Sequence, residues 1–140
     1  MEKVLFAGTA VTRENSIGSL YKLVHGQQWE KVKDIPDNAA VQAIVVHPKY
    51  ENVIFAATRK GIYKSTDKGI TWRDVGAADD RFQFWSIEVD PRDPDHLFAG
   101  TAPISVFESH DCGETWRECE VHHPERFNIR FGASRVMRLA

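Results

Sequence analysis

The segment 76–85 combines two neighbouring carboxylates, Asp79 and Asp80, with an arginine and aromatic rings. Two carboxylates about 5–10 Å apart can divide acid and base work in glycoside hydrolysis. Adjacent Asp side chains point apart in an extended loop, so each would need a partner elsewhere in the chain. Phe84 and Trp85 are predicted to begin a strand and to lie in the core. The segment is therefore a candidate hydrolytic site, but it is not sufficient by itself.

A second group consists of His122, His123 and Glu125. Imidazole and carboxylate groups are zinc ligands. Ligands on adjacent residues rarely converge on one ion, and the His-x-x-x-His spacing of a helical site is absent here. A solvated loop is favoured, and the sequence predicts neither a metal ion nor a cofactor.

Arginine provides the third group. A guanidinium can bind a carboxylate or a phosphate through two parallel hydrogen bonds. These side chains predict a patch for an anionic ligand or a protein partner. The arginines considered are Arg13, Arg59, Arg81, Arg126, Arg130 and Arg135.

An octet that occurs twice defines the elements that must position these residues. Residues 65–72 read Ser-Thr-Asp-Lys-Gly-Ile-Thr-Trp, and residues 109–116, which start 44 positions later, read Ser-His-Asp-Cys-Gly-Glu-Thr-Trp. The similarity extends upstream, where 54–58 aligns with 97–101, and a degenerate third copy begins at 5–9. A period of roughly 20–50 residues is typical of a repeat architecture.

Each repeat unit contains four short strand patterns. These are apolar, β-branched and aromatic runs bounded by Gly, Pro, Asp and Asn. No stretch of about 11 residues or more has a helical period, so the chain is predicted to be all-β. The predicted strands are approximately 3–9, 19–24, 28–33, 41–47, 53–58, 61–65, 70–75, 84–90, 96–101, 105–109, 114–119 and 134–140.

The octet itself predicts a hairpin turn between the third and fourth strands. Its aspartate can accept hydrogen bonds from backbone N–H groups two or more residues on, its glycine supplies a positive φ, and its tryptophan buries a ring at the base of the turn. Because the motif occurs twice while an active site would be single, these residues are predicted to be structural. They are Ser65, Asp67, Gly69, Thr71, Trp72, Ser109, Asp111, Gly113, Thr115 and Trp116.

The pattern Ser-x-Asp-x-Gly-x-Thr-Trp resembles the Asp-box, or bacterial neuraminidase repeat. Both octets match it fully, whereas the N-terminal copy matches only in Trp29. The resemblance covers nearly the whole chain and implies β-propeller blades, with the octets away from the binding face. Such arrays occur in sialidases, xyloglucan-type glycoside hydrolases, sortilin-type receptors and photosystem II assembly factors, so the resemblance implies a fold and not one function.

Catalytic residues do not follow from the resemblance. Sialidases use an arginine cluster for the substrate carboxylate and a tyrosine with a glutamate as nucleophile. Here Tyr21, Tyr50 and Tyr63 are predicted to lie on blade strands or on turns of the opposite face. No tyrosine is placed for that role.

The predicted arrangement is a single domain, 1–140, with about three blades. The first blade comprises 3–33 and is completed by 134–140, the second comprises 41–75, and the third comprises 84–119. Propellers usually close with roughly 4–8 blades, and uncovered flanking sheets expose apolar surface and strand edges. We therefore expect a ring of identical chains or further blades in a longer chain.

Composition excludes two kinds of partner. The net charge of −2 gives no basic field for nucleic acid, and no apolar stretch reaches the ~20 residues that span a bilayer. The apolar start of the chain recurs as an internal strand, so it is not expected to be a signal peptide. A cytoplasmic location is expected, with Cys112 and Cys119 as free thiols.

Two functions remain open at this point. The first is a non-catalytic scaffold whose loops contact a protein or a glycan. The second is a glycoside hydrolase whose acidic residues on the loop face are Glu14, Asp79, Asp80 and Glu125.

Overall fold

A computed structural model describes residues 4–9, 18–76 and 80–120. These residues form three antiparallel sheets and no helix, which confirms the all-β prediction for this part of the chain. A search of them for membrane-spanning helices finds none. The first sheet contains β1 (Phe6–Gly8), β2 (Leu20–Val24) and β3 (Gln28–Lys31). The second sheet contains β4 (Val41–Val46), β5 (Ile54–Thr58), β6 (Gly61–Ser65) and β7 (Arg73–Asp74). The third sheet contains β8 (Gln83–Val89), β9 (Leu97–Ala102), β10 (Val106–Ser109) and β11 (Arg117–Glu118).

The second and third sheets repeat one another in register as well as in sequence. Val41 pairs with Thr58, and Phe84, which lies 43 positions later, pairs with Thr101. Each sheet also has a register shift directly after that pair, between its first two strands. Because a bulge bends and twists a strand locally, its recurrence shows that the two sheets share their curvature.

The fourth strands are shorter than predicted. The sequence predicted 70–75 and 114–119, whereas β7 and β11 begin at Arg73 and Arg117. The reason is that the backbone N–H groups of Ile70 and Thr71 donate to the Asp67 carboxylate and so remain in the turn. The predicted strand 134–140 lies outside the described residues.

The second sheet is buried on both faces. Side chains alternate across a strand, so Ile54 and Ala56 of β5 pack in the cluster with the first sheet, while Phe55 and Ala57 pack in the cluster with the third. Every residue of β5 is buried as a result. In the third sheet Phe84 is fully buried as predicted, whereas Trp85 is half-buried.

Each octet glycine receives a phenylalanine ring from the preceding sheet. A Cβ built on Gly113 would lie 2.5 Å from Cε1 of Phe55, and a Cβ on Gly69 would overlap the ring of Phe6. Both glycines have a positive φ, +80° at Gly69 and +75° at Gly113. Backbone conformation and close packing therefore both require glycine here.

A charged contact also joins the second and third sheets. The Nζ of Lys64, only 4% exposed, donates to the carbonyl oxygen of Cys112 and to Oε1 of Glu114, both at 2.6 Å. Arg73 donates to the same carboxylate. Hydrogen bonds from Arg73 and Lys64 lower the pKa of Glu114, so this buried ammonium faces an ionised partner.

We expect Gly113→Ala to destabilise the protein more than Gly26→Ala. Gly26 has a similar φ of +67° but no atom within 4 Å of a built Cβ. Gly26→Ala should lower the free energy of unfolding only by the cost of placing an alanine in the left-handed conformation, about 1–2 kcal/mol. Gly113→Ala should lose about 1–3 kcal/mol more, because the methyl group must displace the Phe55 ring. Urea unfolding of the two variants measures the difference.

Equal losses in the two variants would contradict this account of the packing. The pair is matched because both substitutions add one methyl group at a positive φ, so backbone strain cancels in the comparison.

Candidate functional site

The two ends of the sheets carry different connections. We term the octet end the side with turns 66–72 and 110–116, and the loop end the side with connections 59–60 and 103–105. Buried threonines brace the loop end: Thr58 Oγ1 donates to the carbonyl oxygen of Gly61 at 2.9 Å, and Thr101 Oγ1 donates to that of Pro103 at 2.7 Å. These short loops are therefore fixed by the sheets and can hold a side chain in place.

Arg59 lies in such a loop, directly after β5. Its backbone N–H donates to the carbonyl oxygen of Ala40 at 3.0 Å, which ties it to the connection between the first and second sheets. The residue is half-buried, and its Nε is buried with no hydrogen-bond partner in the structure. A buried donor without a partner is uncommon in folded proteins, so this guanidinium has bonding capacity that the described residues do not use.

Asp80 and Arg81 are also at the loop end, just before β8, and both are exposed. The guanidinium carbon of Arg81 lies 5.3 Å from the centre of the Phe82 ring, a distance typical of a cation–π contact. Arg59 follows β5 of the second sheet, whereas Asp80 and Arg81 precede β8 of the third. The remaining loop-face candidates, Arg13, Glu14, Asp79, Glu125, Arg126, Arg130 and Arg135, lie outside the described residues, as do His122 and His123.

The octet aspartates are occupied by hydrogen bonds within their own turns. Oδ1 of Asp67 accepts the backbone N–H groups of Ile70 and Thr71 at 3.1 and 2.9 Å, and it also accepts the hydroxyl of Ser65 at 2.8 Å. Oδ2 accepts the hydroxyl of Thr71 at 2.6 Å. The indole N–H of Trp72 donates to the carbonyl oxygen within the same turn, at 3.2 Å.

The second octet has the same bonds. Asp111 accepts the backbone N–H groups of Glu114 and Thr115 at 3.0 and 2.9 Å and the hydroxyl of Ser109 at 2.7 Å. Trp116 closes the turn as Trp72 does. The two turns, 44 residues apart, thus make the same hydrogen bonds, as expected for a structural motif. Both carboxylates are engaged in these turns and not in contacts that a substrate could use.

Hydrogen bonding keeps both carboxylates ionised. The hydroxyl of Thr71 makes the largest contribution in lowering the pKa of Asp67 to about 2. At Asp111 partial burial acts to raise the pKa, but hydrogen bonds from Thr115 and Ser109 outweigh it and bring the value to about 2. A general acid needs a proton near neutral pH, so neither residue suits that role.

A groove of about 360 Å³ runs between the first sheet and the turn of the octet 65–72 in the second sheet. Three lysines, Lys22, Lys31 and Lys33, line it together with two acidic residues. One of these, Asp34, accepts the backbone N–H of Trp72 at 2.9 Å, and Lys31 pairs with Asp37. The groove has mixed charge, and much of that charge is used in holding the sheets together.

The two cysteines are free, as predicted. Burial raises the pKa of both the Cys112 and the Cys119 thiol. Because the thiolate is the reactive form, neither is suited to act as a nucleophile.

Sequence reasoning missed the polar residues that meet across long separations. Lys64 and Glu114 are one example, and a group formed by His96, Glu108 and His110 is another. Each position differs in chemical type from its counterpart in the other repeat, and this difference marks the residues as unusual without showing which of them meet.

We expect stability to fall as the pH drops below about 4. The folded pKa of Asp67 and Asp111 is about 2, below the ordinary value of about 3.9. The stabilisation from each ionised carboxylate is therefore complete above the unfolded pKa and is lost as the pH falls towards the folded one. Urea unfolding at several pH values between about 2.5 and 7 measures this decline.

Asp67→Asn and Asp111→Asn should each cost about 1–2 kcal/mol at pH 7, because charge-assisted hydrogen bonds become neutral ones, and each should flatten the decline. Glu51→Gln is the control, since Glu51 is exposed at a turn outside the octets. A pH profile that the two Asp substitutions leave unchanged would refute the assignment.

Comparison with known proteins agrees with this architecture. The sequence model of the Sortilin-Vps10 family, described as sortilin, neurotensin receptor 3, matches residues 24–120. This range includes both octets and the whole of the second and third sheets. No curated protein sequence matches the chain significantly.

Solved structures with a similar fold include enzymes and a peptide complex. An ancestral GH74 enzyme superposes with a TM-score of 0.61 at 21% identity, over 80% of this chain and 17% of that one. The GH74 xyloglucanase from Xanthomonas campestris gives a TM-score of 0.60 at 14% identity, over 82% and 21% of the two chains. YCF48 bound to D1 peptide gives 0.51 at 15% identity, over 84% and 44%.

At these identities the structural likeness shows the fold alone, which is that of a β-propeller. The chain spans less than half the length of each of the three proteins. The family match covers more than half of the chain. The chain thus belongs to the Sortilin-Vps10 family and has a propeller-type fold.

Proposed function

We propose that this chain is a non-catalytic binding module that presents its loop end to a protein partner bearing a carboxylate. The observation that carries the proposal is the buried Nε of Arg59, which has no hydrogen-bond partner among the described residues. A guanidinium binds a carboxylate through two parallel hydrogen bonds. A peptide carboxylate would supply the missing acceptor once the half-buried Arg59 side chain moves outward and uncovers Nε.

The surroundings of Arg59 support a binding role over a catalytic one. Its backbone is held by Ala40 and its neighbour Thr58 is buried, so the guanidinium is presented from a rigid scaffold. The two octet aspartates, meanwhile, are fully used in turns. Among the structures with this fold, YCF48 is bound to a peptide, so the architecture is compatible with a peptide ligand.

The alternative is a glycoside hydrolase. It is favoured by the likeness to GH74 enzymes and by the exposed Asp80 at the loop end. The partner carboxylates in that hypothesis, Glu14, Asp79 and Glu125, lie outside the described residues. A glycan ligand without hydrolysis is the intermediate case.

We further propose that the octets are Asp-boxes and that the sheets are blades of a ring, with boundaries near 3–33, 41–75 and 84–119. The ring would be completed by a second copy of the chain or by further blades. The unfilled space beside Gly26 in the first sheet supports this, since the two equivalent glycines each receive a phenylalanine. Multi-angle light scattering that finds only a monomer at micromolar concentration would rule out the homo-oligomeric ring.

Arg59→Gln should abolish most of the binding to carboxylate-bearing peptides. An array of acidic peptides and an array of neutral and sialylated glycans are screened with the purified chain, and affinities of the ligands found are then measured. Charge-assisted hydrogen bonds contribute about 1.5–3 kcal/mol, so the substitution should weaken binding about tenfold or more.

Arg92→Gln is the matched control, because Arg92 is 91% exposed and lies at the octet end. The proposal is contradicted if Arg59→Gln leaves the affinity for the peptide ligands unchanged. It is also contradicted if the screen finds no peptide ligand. Assays with chromogenic glycosides and xyloglucan should show no turnover, and turnover that requires Asp80 would establish the hydrolase instead.

A further inference from the structure

Three side chains from two segments of the third sheet converge on one point: His96 directly before β9, and Glu108 and His110 at the end of β10. Nε2 of His96 lies 3.2 Å from Oε2 of Glu108, and Nε2 of His110 lies 3.3 Å from the same oxygen. The three ligand atoms lie within 4.8 Å of one another. The two imidazole rings stack with centroids 4.2 Å apart and an angle of 16° between their planes, which places both nitrogens beside the carboxylate.

These separations match the edges of a metal coordination polyhedron. Zinc binds imidazole nitrogen at about 2.0–2.1 Å and carboxylate oxygen at about 2.0–2.2 Å, with tetrahedral geometry. The distance between two ligands of such a tetrahedron is about 3.4 Å, by geometry from those bond lengths. The two nitrogen–oxygen distances are already within about 0.2 Å of it. A metal ion lies in the plane of each imidazole that binds it, so one of the two stacked rings must rotate for both to bind the same ion. His110 is exposed and has room to do so.

Neighbouring groups hold two of the ligands, His96 and Glu108, in place. The backbone N–H of His96 donates to the carbonyl oxygen of Asp93 at 3.0 Å, and Glu108 is fixed by its position in β10. Oδ2 of Asp90 lies 3.9 Å from Nδ1 of His96, the ring nitrogen that faces away from the cluster. Arg117 pairs with Oε1 of Glu108 and leaves Oε2 for the ion. Carboxylates behind histidine ligands and hydrogen bonds to ligating carboxylates are typical of metal sites.

The second sheet has the same fold without these three residue types, so the fold does not require them. The counterparts in the second sheet, by register and octet position, are Val53, Lys64 and Thr66. None of these residue types is a common zinc ligand. All three positions therefore change to ligand types in the third repeat, while the octet beside them keeps its structural residues.

The site is open enough for an ion to enter. His110 is 56% exposed, whereas His96 and Glu108 are largely buried at 18% and 15%. A groove of about 190 Å³ lined by Glu108, His110 and Arg117 adjoins them. Water in this groove would complete the coordination.

We propose that His96, Glu108 and His110 form a site for a divalent transition metal, with Zn²⁺ as the ion that this two-histidine, one-carboxylate donor set suits best. The ion would be bound by Nε2 of each histidine and Oε2 of the glutamate, in place of the hydrogen bond between His96 and Glu108 and the ion-pair contact between His110 and Glu108. The site is at the octet end, and it is independent of the loop-end function proposed above. The sequence alone predicted no metal site, because the three ligands approach one another only in the folded sheet.

The test is Zn²⁺ titration of the EDTA-treated full chain by calorimetry, with Co²⁺ absorption as a probe of ligand geometry. We expect saturable binding of one Zn²⁺ at this site and a rise in melting temperature that EDTA reverses. His110→Thr and His96→Val copy the second repeat, so both should fold, and each should weaken Zn²⁺ binding about tenfold or more.

The double variant His122→Ala/His123→Ala is the control, and it should retain the site. The proposal is overturned if the wild-type chain binds no Zn²⁺, if His110→Thr and His96→Val bind it as the wild type does, or if the control variant alone loses it. The melting temperatures of the metal-free variants show whether each variant is folded. A variant that melts at the wild-type temperature but binds Zn²⁺ weakly has lost a ligand and not its fold, and one such variant is sufficient for the test.

Discussion

A phenylalanine ring that lies against a glycine of the next sheet is the contact on which the stacking of the sheets depends. Phe6 meets Gly69 and Phe55 meets Gly113, and at both glycines a Cβ would occupy space that the ring fills. The same glycines turn the chain between the third and fourth strands with a positive φ. One residue thus sets both the hairpin within a sheet and the distance between sheets.

The two ends of the sheets use their side chains differently, because the octet requirement applies to only one of them. At the octet end, Asp67 and Asp111 accept several hydrogen bonds each and are committed to the turns. At the loop end, the connections are braced by Thr58 and Thr101, and the exposed side chains vary between repeats. Arg59 is presented there by backbone that the sheets fix. Recognition can therefore change at the loop end without disturbing the packing.

Much of the architecture could be predicted because the repeat is encoded locally. The octet sequence specifies its turn through its Asp, Gly and Trp, and the uninterrupted apolar run of β5 fits a strand that is buried on both faces. The fourth strands were predicted too long because Ile70 and Thr71 have strand-forming side chains, whereas their N–H groups bond to Asp67 instead of to a neighbouring strand. The contact of Lys64 with Glu114 and the convergence of His96, Glu108 and His110 depend on register and stacking across 12 to 50 residues, and no local pattern encodes these.

The charge on Lys64 has a consequence for the order of the sheets. Its counterpart in the third sheet is Glu108, so a sheet of the third type laid on a second copy of itself would bring Glu108 towards Glu114. Two carboxylates would then meet where an ammonium and a carboxylate meet now. The sheets are alike enough in backbone to be exchanged for one another, but like-charge repulsion opposes that exchange. The repeats therefore share a backbone shape but differ in charge at this contact, and the difference disfavours the stacking of many copies of one repeat.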